Sequence, residues 1–410
     1  DLFNSNMFDH RLYQSSQLGM FQGAEIPQLG GIRYVGNDER WQFGGLSIQT
    51  NAVDRLNHPS YNMGVLRAKR RVGNKGSYIG LINTSKIANG DYNYLFATDG
   101  NIRFTDNFDM EYVLGSTFDK IKGDFKPVYG VAFTNFKTNG FGFQYRFREY
   151  TEDFNPELGF VSQPNTKRLT LNNGYRKTYT DHKFLQYLSV GHYIRKNWIS
   201  STGAPGYFQT NLYLTMINKK GYFFNVFPLY KEDHLYGAWQ IAENIIIAED
   251  KYNMWQIEPT FNNGRSMKYQ YSISGVYGRF YGGRQLSFSG NLNYDFTKNF
   301  KLEVGANYNR LSFPDSYSEN GSSVININRY YSRLKFAFSS KSFVNSYLQY
   351  DTNTKKLGVN MRFRYQPREG TDLYMVYNHN VNTKPNEVLP NLNTTQDQSF
   401  IIKFSKTFIL

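Results

Sequence analysis

From Leu286 onward the chain alternates. Leu286, Phe288, Gly290, Leu292, Tyr294 and Phe296 share one parity, and Ser287, Ser289, Asn291, Asn293 and Asp295 share the other. After Thr297, Lys298 and Asn299 the pattern restarts, with Phe300, Leu302, Val304, Ala306 and Tyr308 set against Lys301, Glu303, Gly305, Asn307 and Asn309. Successive side chains of a strand point to opposite faces, so each run has one apolar and one polar face. Strands on a soluble core usually stop after about 5 or 6 residues. These are nearer 10, which with the three-residue turn describes a membrane-spanning β-hairpin, apolar toward lipid and polar toward a lumen.

The same alternation predicts strands at 29–36, 40–50, 60–72, 76–86, 91–104, 107–118, 125–136, 140–150, 167–178, 184–196, 206–217, 221–230, 252–262, 268–280, 284–296, 299–311, 324–339, 342–351, 355–366, 371–379 and 398–410. Short polar turns such as Thr105–Asn107 and Thr297–Asn299 all fall at one end, and the long connections at 51–59, 151–166, 231–251, 312–323 and 380–396 at the other. Outer-membrane barrels have this asymmetry, with short periplasmic turns and long external loops. The expected fold is an all-β, transmembrane antiparallel outer-membrane β-barrel of about 18 to 22 strands over residues 29–410. Bacterial single-chain barrels have even strand numbers. Residues 1–28 are therefore expected to hold an extra strand, a plug or a loop. The last strand, with Phe400, Ile402, Phe404, Phe408 and Leu410 on one face, is expected to end at the periplasmic side.

Composition agrees with this reading. Among 410 residues are 34 Tyr, 34 Phe and 35 Gly, which suits aromatic girdles around a barrel. No apolar run approaches the roughly 20 residues of a spanning helix. Cysteine is absent, which removes disulfides, thiolate metal sites and cysteine nucleophiles. No charged, then apolar leader opens the chain at Asp1, Leu2 and Phe3, so a signal peptide is expected to lie outside this sequence. The net charge of +14 comes without a basic helix or recognition motif, so nucleic acid is not an expected partner.

Five stretches carry a resemblance: Pro27–Arg33, Trp41–Thr50, Val65–Gly73, Gly76–Gly80, and Asp153–Val161 with its Phe-Asn-Pro-Glu-Leu-Gly-Phe core. Together they resemble the barrel region of a Bacteroidetes outer-membrane family of unknown function, many of whose members carry an N-terminal carbohydrate-binding-like domain. The likeness is close over roughly the first 165 residues. It implies a barrel but transfers no catalytic residues, and since no carbohydrate-binding-like domain is expected here, it transfers no sugar-related role.

Basic ladders are the sharpest chemical feature. Arg67, Lys69 and Arg71 share one parity, and Arg146, Arg148, Arg362 and Arg364 take the lumen parity of their own strands. Rings of Arg and Lys line anion pores. The plainer expectation is a lumen ion-pair network with Asp109, Glu111, Asp295 and Glu303. Tyr207, Phe208, Tyr222, Phe223, Tyr269, Tyr271 and Tyr277 are expected in the girdles, and Trp198 and Trp239 in loops.

In the connection at 231–251, Trp239, Ile241, Ile245, Ile246 and Ile247 form an apolar group, so this loop either folds back or meets a partner. Pro156 holds Asn155 extended, which makes Phe154–Val161 a fixed turn or inward-folded loop. The six His have no metal-ligand spacing, and no nucleophile elbow or paired acid and base is found. Neither catalysis, cofactor nor metal is expected.

Two functions fit: a channel or transport protein for polar or anionic solutes, and a non-enzymatic scaffold or component of an outer-membrane assembly or export complex. The expected partners are outer-membrane lipid and lipopolysaccharide, and in the second case other outer-membrane proteins or lipoproteins.

Overall fold

In a computed structural model, all residues are described except 1, 4–5, 8–9, 22–23, 74, 243–244, 265–266, 318–322, 388–392 and 407–410. Among the described residues twenty-one strands form one antiparallel barrel, from Gln28–Asn37 to Thr395–Lys406, each 10 to 16 residues long. Every strand expected from the alternation is present. The Gly283–Asp295 and Phe300–Ser312 strands pair in the anticipated register, with Phe288 opposite Tyr308 and Asn291 opposite Gly305.

Two strand bounds shift, and the segment expected to hold an extra strand, a plug or a loop adds no barrel strand among its described residues. They form the two-residue pairs Asn6–Met7 with His10–Arg11 and Met20–Phe21 with Ala24–Glu25, because they are spent on packing described below. The strand expected to stop near residue 230 continues to His234. The last strand starts at Thr395, and Phe408 and Leu410 lie outside the described residues.

The chain divides into two compact units, Asp1–Arg176 with Gly191–Thr210, and Lys177–Val190 with Asn211–Leu410. In the first, large apolar side chains stand exposed on one parity of the strands, as Leu66, Leu81, Phe96 and Leu114 show. The opposite parity carries a buried apolar patch, Met63, Val65, Ile82, Leu95, Ala97, Val113, Val128 and Ala132, set among buried polar residues such as Arg67, Thr84, Asn93 and Asp99. In the second unit Phe288, Leu292, Val304, Tyr330 and Phe338 are exposed on the outward parity. The inward parity there carries half-exposed polar residues, among them Asn291, Asn293, Asn307, Asn309, Asn345 and Asn360.

A sheet that turns large apolar side chains outward along spans of this length needs hydrocarbon around it, and closing the ladder removes the edges that lipid cannot satisfy. The protein is an outer-membrane β-barrel.

Candidate functional site

Apolar residues on an inner barrel wall need something apolar against them, and in the first unit the chain supplies it. Phe3, Leu12 and Tyr13 from the residues before Gln28, and Phe154 and Leu158 from the 151–165 connection, pack into one cluster with Val65, Ile82, Leu95, Val113, Val128 and Tyr150. Phe154 and Leu158 are fully buried. The resemblance motif accounts for this residue by residue. The Asn155 amide donates to Thr117 Oγ1 at 3.2 Å, and its carbonyl accepts from Asn93 Nδ2 at 2.8 Å. The Glu157 amide donates to Asn93 Oδ1 at 3.1 Å, while its carboxylate takes Lys86 Nζ at 2.6 Å.

A turn from the Pro156 carbonyl to the Gly159 amide, 2.8 Å, then reverses the loop. Gly159 is required there, since a Cβ would meet the Arg11 and Leu12 carbonyl oxygens at 2.5 and 2.6 Å. Arg11 and Phe160 exchange backbone hydrogen bonds of 3.1 and 2.7 Å, and the Gln14 amide donates to the Leu158 carbonyl at 2.8 Å. Loop and leading segment are thus zipped together as one plug against the inner wall.

The cap of this plug is aromatic. His58, buried in the 51–61 connection, lies 4.6 Å from the Phe21 ring and 5.0 Å from the Tyr61 ring, and neither ring nitrogen has a hydrogen-bond partner among the described residues. Burial first, and the nearby Lys86 charge second, hold its pKa below the ordinary histidine value. The Tyr61 hydroxyl donates to Asp91 at 2.6 Å, and burial followed by that carboxylate pushes its pKa up.

Beneath the plug, Arg67 and Asp99 form a buried two-pronged ion pair through Nη1 to Oδ1 and Nη2 to Oδ2, the latter at 2.7 Å. Such a fork satisfies both charges where water is excluded. Lys69 lies 5.0 Å over the Tyr78 ring, and Arg71 is exposed at the strand end, donating to the Glu39 carbonyl at 3.4 Å. Arg148 is buried, its guanidinium 5.7 Å from the Tyr150 ring, while Arg146 is half-buried. The expected ladder partners differ: Asp109 and Glu111 share the inward parity but make no ion pair among the described residues, and Asp99 holds Arg67 instead.

In the second unit Asp295 pairs with Lys301 at 3.0 Å and Glu303 with Arg333 at 3.4 Å. Arg364 pairs with Asp372 at 2.7 Å. Arg362, exposed on the inward parity opposite Asn345, has no acid within 4.0 Å among the described residues.

The apolar loop folds back. Trp239–Ala242 and Ile245–Ile247 pair as a small ribbon, and Ile245 and Ile247 are fully buried with Tyr252, Met254, Leu311 and Phe313; Ile241 packs against them. Ile241, Ile245 and Ile247 are therefore not available to a partner: on a two-residue period one face of the ribbon buries, leaving Trp239 and Ile246 exposed. Trp198 lies within the Leu185–Ile199 strand, not a loop, with Lys196 5.1 Å over its ring. Tyr269, Tyr271 and Tyr277 take the outward parity expected of girdle residues, whereas Tyr207 takes the opposite parity to Phe208 on its strand.

The sequence pattern did not single out Asp99, Asn93 or Lys86. Their signal was present: Ser77–Ala88 and Asp91–Arg103 carry apolar residues on both parities, which a water-filled lumen does not ask for.

No family model and no curated protein matches this chain. Among solved structures, it is similar to the ferric enterobactin receptor PfeA, at 10% identity over 91% of this chain and 72% of that one, with a TM-score of 0.47. It is also similar to the ferric-catecholate import receptor Fiu from E. coli K12, at 8% identity over 96% and 78%, TM-score 0.42. A third is the siderophore receptor PirA from Acinetobacter baumannii, at 8% identity over 92% and 73%, TM-score 0.42. Likeness this remote says nothing of what this chain binds.

Proposed function

We propose that this protein is an outer-membrane transport barrel for polar solutes, and that the polar inner face of its second unit is the surface along which they pass. One observation carries the reading. Inward positions of the strands from Gly283 to Asn382 are largely polar and half-exposed, led by asparagines, with Arg362 free of any acid partner among the described residues. A wall of amides with an exposed guanidinium exchanges hydrogen bonds with hydrated, polar or anionic solutes. In the first unit Arg67 and Arg148 are buried, which removes them from any conducting surface.

The test is conductance and ion selectivity of the purified protein in a planar bilayer. Arg362→Gln with Arg333→Gln is expected to shift the reversal potential toward cations. Wild-type selectivity in that variant would remove this wall from the pathway, and no conductance in any condition would sink the transport reading.

A scaffold role in an assembly or export complex is the second reading, favoured by the plug that fills the inner wall of the first unit. Gentle extraction from the native membrane followed by mass determination separates the two. A stoichiometric protein partner supports the scaffold, and a lone barrel supports transport.

A further inference from the structure

The outward face of the first unit is not a smooth apolar band. A cavity of about 790 Å³ opens on it, floored by Gly45, Ala68 and Thr98 and walled by Leu66, Leu81 and Phe96. The floor is low because strand pairing sets small residues beside large ones: Gly45 opposite Leu66, Ala68 opposite Leu81, and Leu81 opposite Thr98. A second cavity of about 1070 Å³ shares Ala68 and Leu81 with it and runs to the short-turn end, where Arg40, Arg70, Arg71 and Trp41 line it.

These groups are held in place. Asp38 accepts the Arg40 and Trp41 amides at 2.7 and 2.6 Å, the Arg71 amide donates to the Arg40 carbonyl at 2.7 Å, and the Arg70 guanidinium lies 5.4 Å from the Trp41 ring. Glu39 lines the same cavity as its one carboxylate against three arginines.

We propose that this continuous groove binds an anionic glycerophospholipid of the periplasmic leaflet. The acyl chain lies on Gly45, Ala68 and Thr98, and the phosphodiester sits between Arg40 and Arg70, with Trp41 at the level of the glycerol. Three features select this occupant. The groove faces hydrocarbon, and short turns mark the periplasmic end. A tryptophan at the strand start marks the interface. Apart from Arg67, whose side chain is buried against Asp99, charge is confined to that end, so apolar and cationic parts are segregated as chain and headgroup are in a lipid. Guanidinium forks match phosphate oxygens.

The experiment uses the full chain in detergent, stripped of lipid, with Trp198→Phe, Trp239→Phe and Trp255→Phe so that Trp41 alone reports. It is titrated with phosphatidylglycerol carrying brominated acyl chains, with the phosphatidylcholine equivalent, and with inorganic phosphate as competitor. Phosphatidylglycerol is expected to quench Trp41 at about tenfold lower mole fraction than phosphatidylcholine. Arg40→Gln with Arg70→Gln and Arg71→Gln is expected to erase that preference. Ala68→Phe, which leaves the arginines intact, is expected to weaken both lipids several-fold. Equal quenching by the two lipids, or a preference that survives the triple substitution, overturns the proposal. Loss of phosphatidylglycerol quenching in millimolar phosphate also overturns it, assigning the arginines to a free anion.

Discussion

Arg67 and Asp99 sit under the plug with almost no exposed side chain, so each depends on the other for neutrality. Removing one partner of a buried pair leaves an uncompensated charge, which costs about 3–5 kcal/mol. Asp99→Asn is expected to lower the thermal midpoint of the folded barrel by that equivalent, and Arg67→Met combined with Asp99→Leu to recover much of it; a midpoint unchanged in the single variant would show the pair to be solvated. His58 gives a pH dependence of definite sign. Its folded pKa is depressed, chiefly by burial and then by Lys86. Between that value and the unfolded value of about 6.5 the unfolded chain holds the extra proton. The stability contributed by the neutral ring is thus complete above the unfolded pKa and is lost as pH falls toward the folded one. Thermal midpoints between pH 7 and 5 should fall for the native chain and stay flatter for His58→Phe, which keeps the contacts with Phe21 and Tyr61 but cannot be protonated.

Elements differ in how openly their sequences declare them. The strands Gly283–Asp295 and Phe300–Ser312 have lipid on one side and water on the other, so period two appears in the residue types themselves and the register is legible. Asn62–Val72, Ser77–Ala88 and Asp91–Arg103 have lipid on one side and protein on the other, and Val65, Ile82 and Leu95 blur the alternation although the strands remain. The folding-back of the Trp239–Ile247 ribbon was open in sequence because its cover, Leu311 and Phe313, lies about 65 residues further on. The 151–165 connection is the element whose release should matter most. Phe154→Ala removes a fully buried ring from the plug, a change that costs about 3–5 kcal/mol in a core. The expected outcome is faster proteolytic cleavage within 151–165 while the heat-resistant barrel band persists on a gel. Unchanged cleavage would mean the loop is held by its polar ties to Asn93 and Lys86 alone.

At the scale of the whole molecule, the expected class and strand set hold, and the twenty-one barrel strands among the described residues fall within the expected 18 to 22. The basic ladders raised the expectation of an anion-selective lumen, yet they are divided between burial, pairing and exposure. Which of these a given arginine meets depends on what lies across from it, and nothing in its own strand records that. Arg67 and Arg362 take the same parity in similar local sequence, and one is sealed against Asp99 while the other faces water.

The inner wall of the first unit also sets a rule for anyone who would turn this barrel into a nanopore. Cutting away the leading segment and shortening the 151–165 loop would not leave a uniformly polar wall. It would leave Val65, Ile82, Leu95, Val113 and Val128 facing an aqueous space, an apolar patch that costs free energy to hydrate. A pore of that kind must be repainted before it is emptied, with polar side chains at those five positions introduced first and the plug removed last.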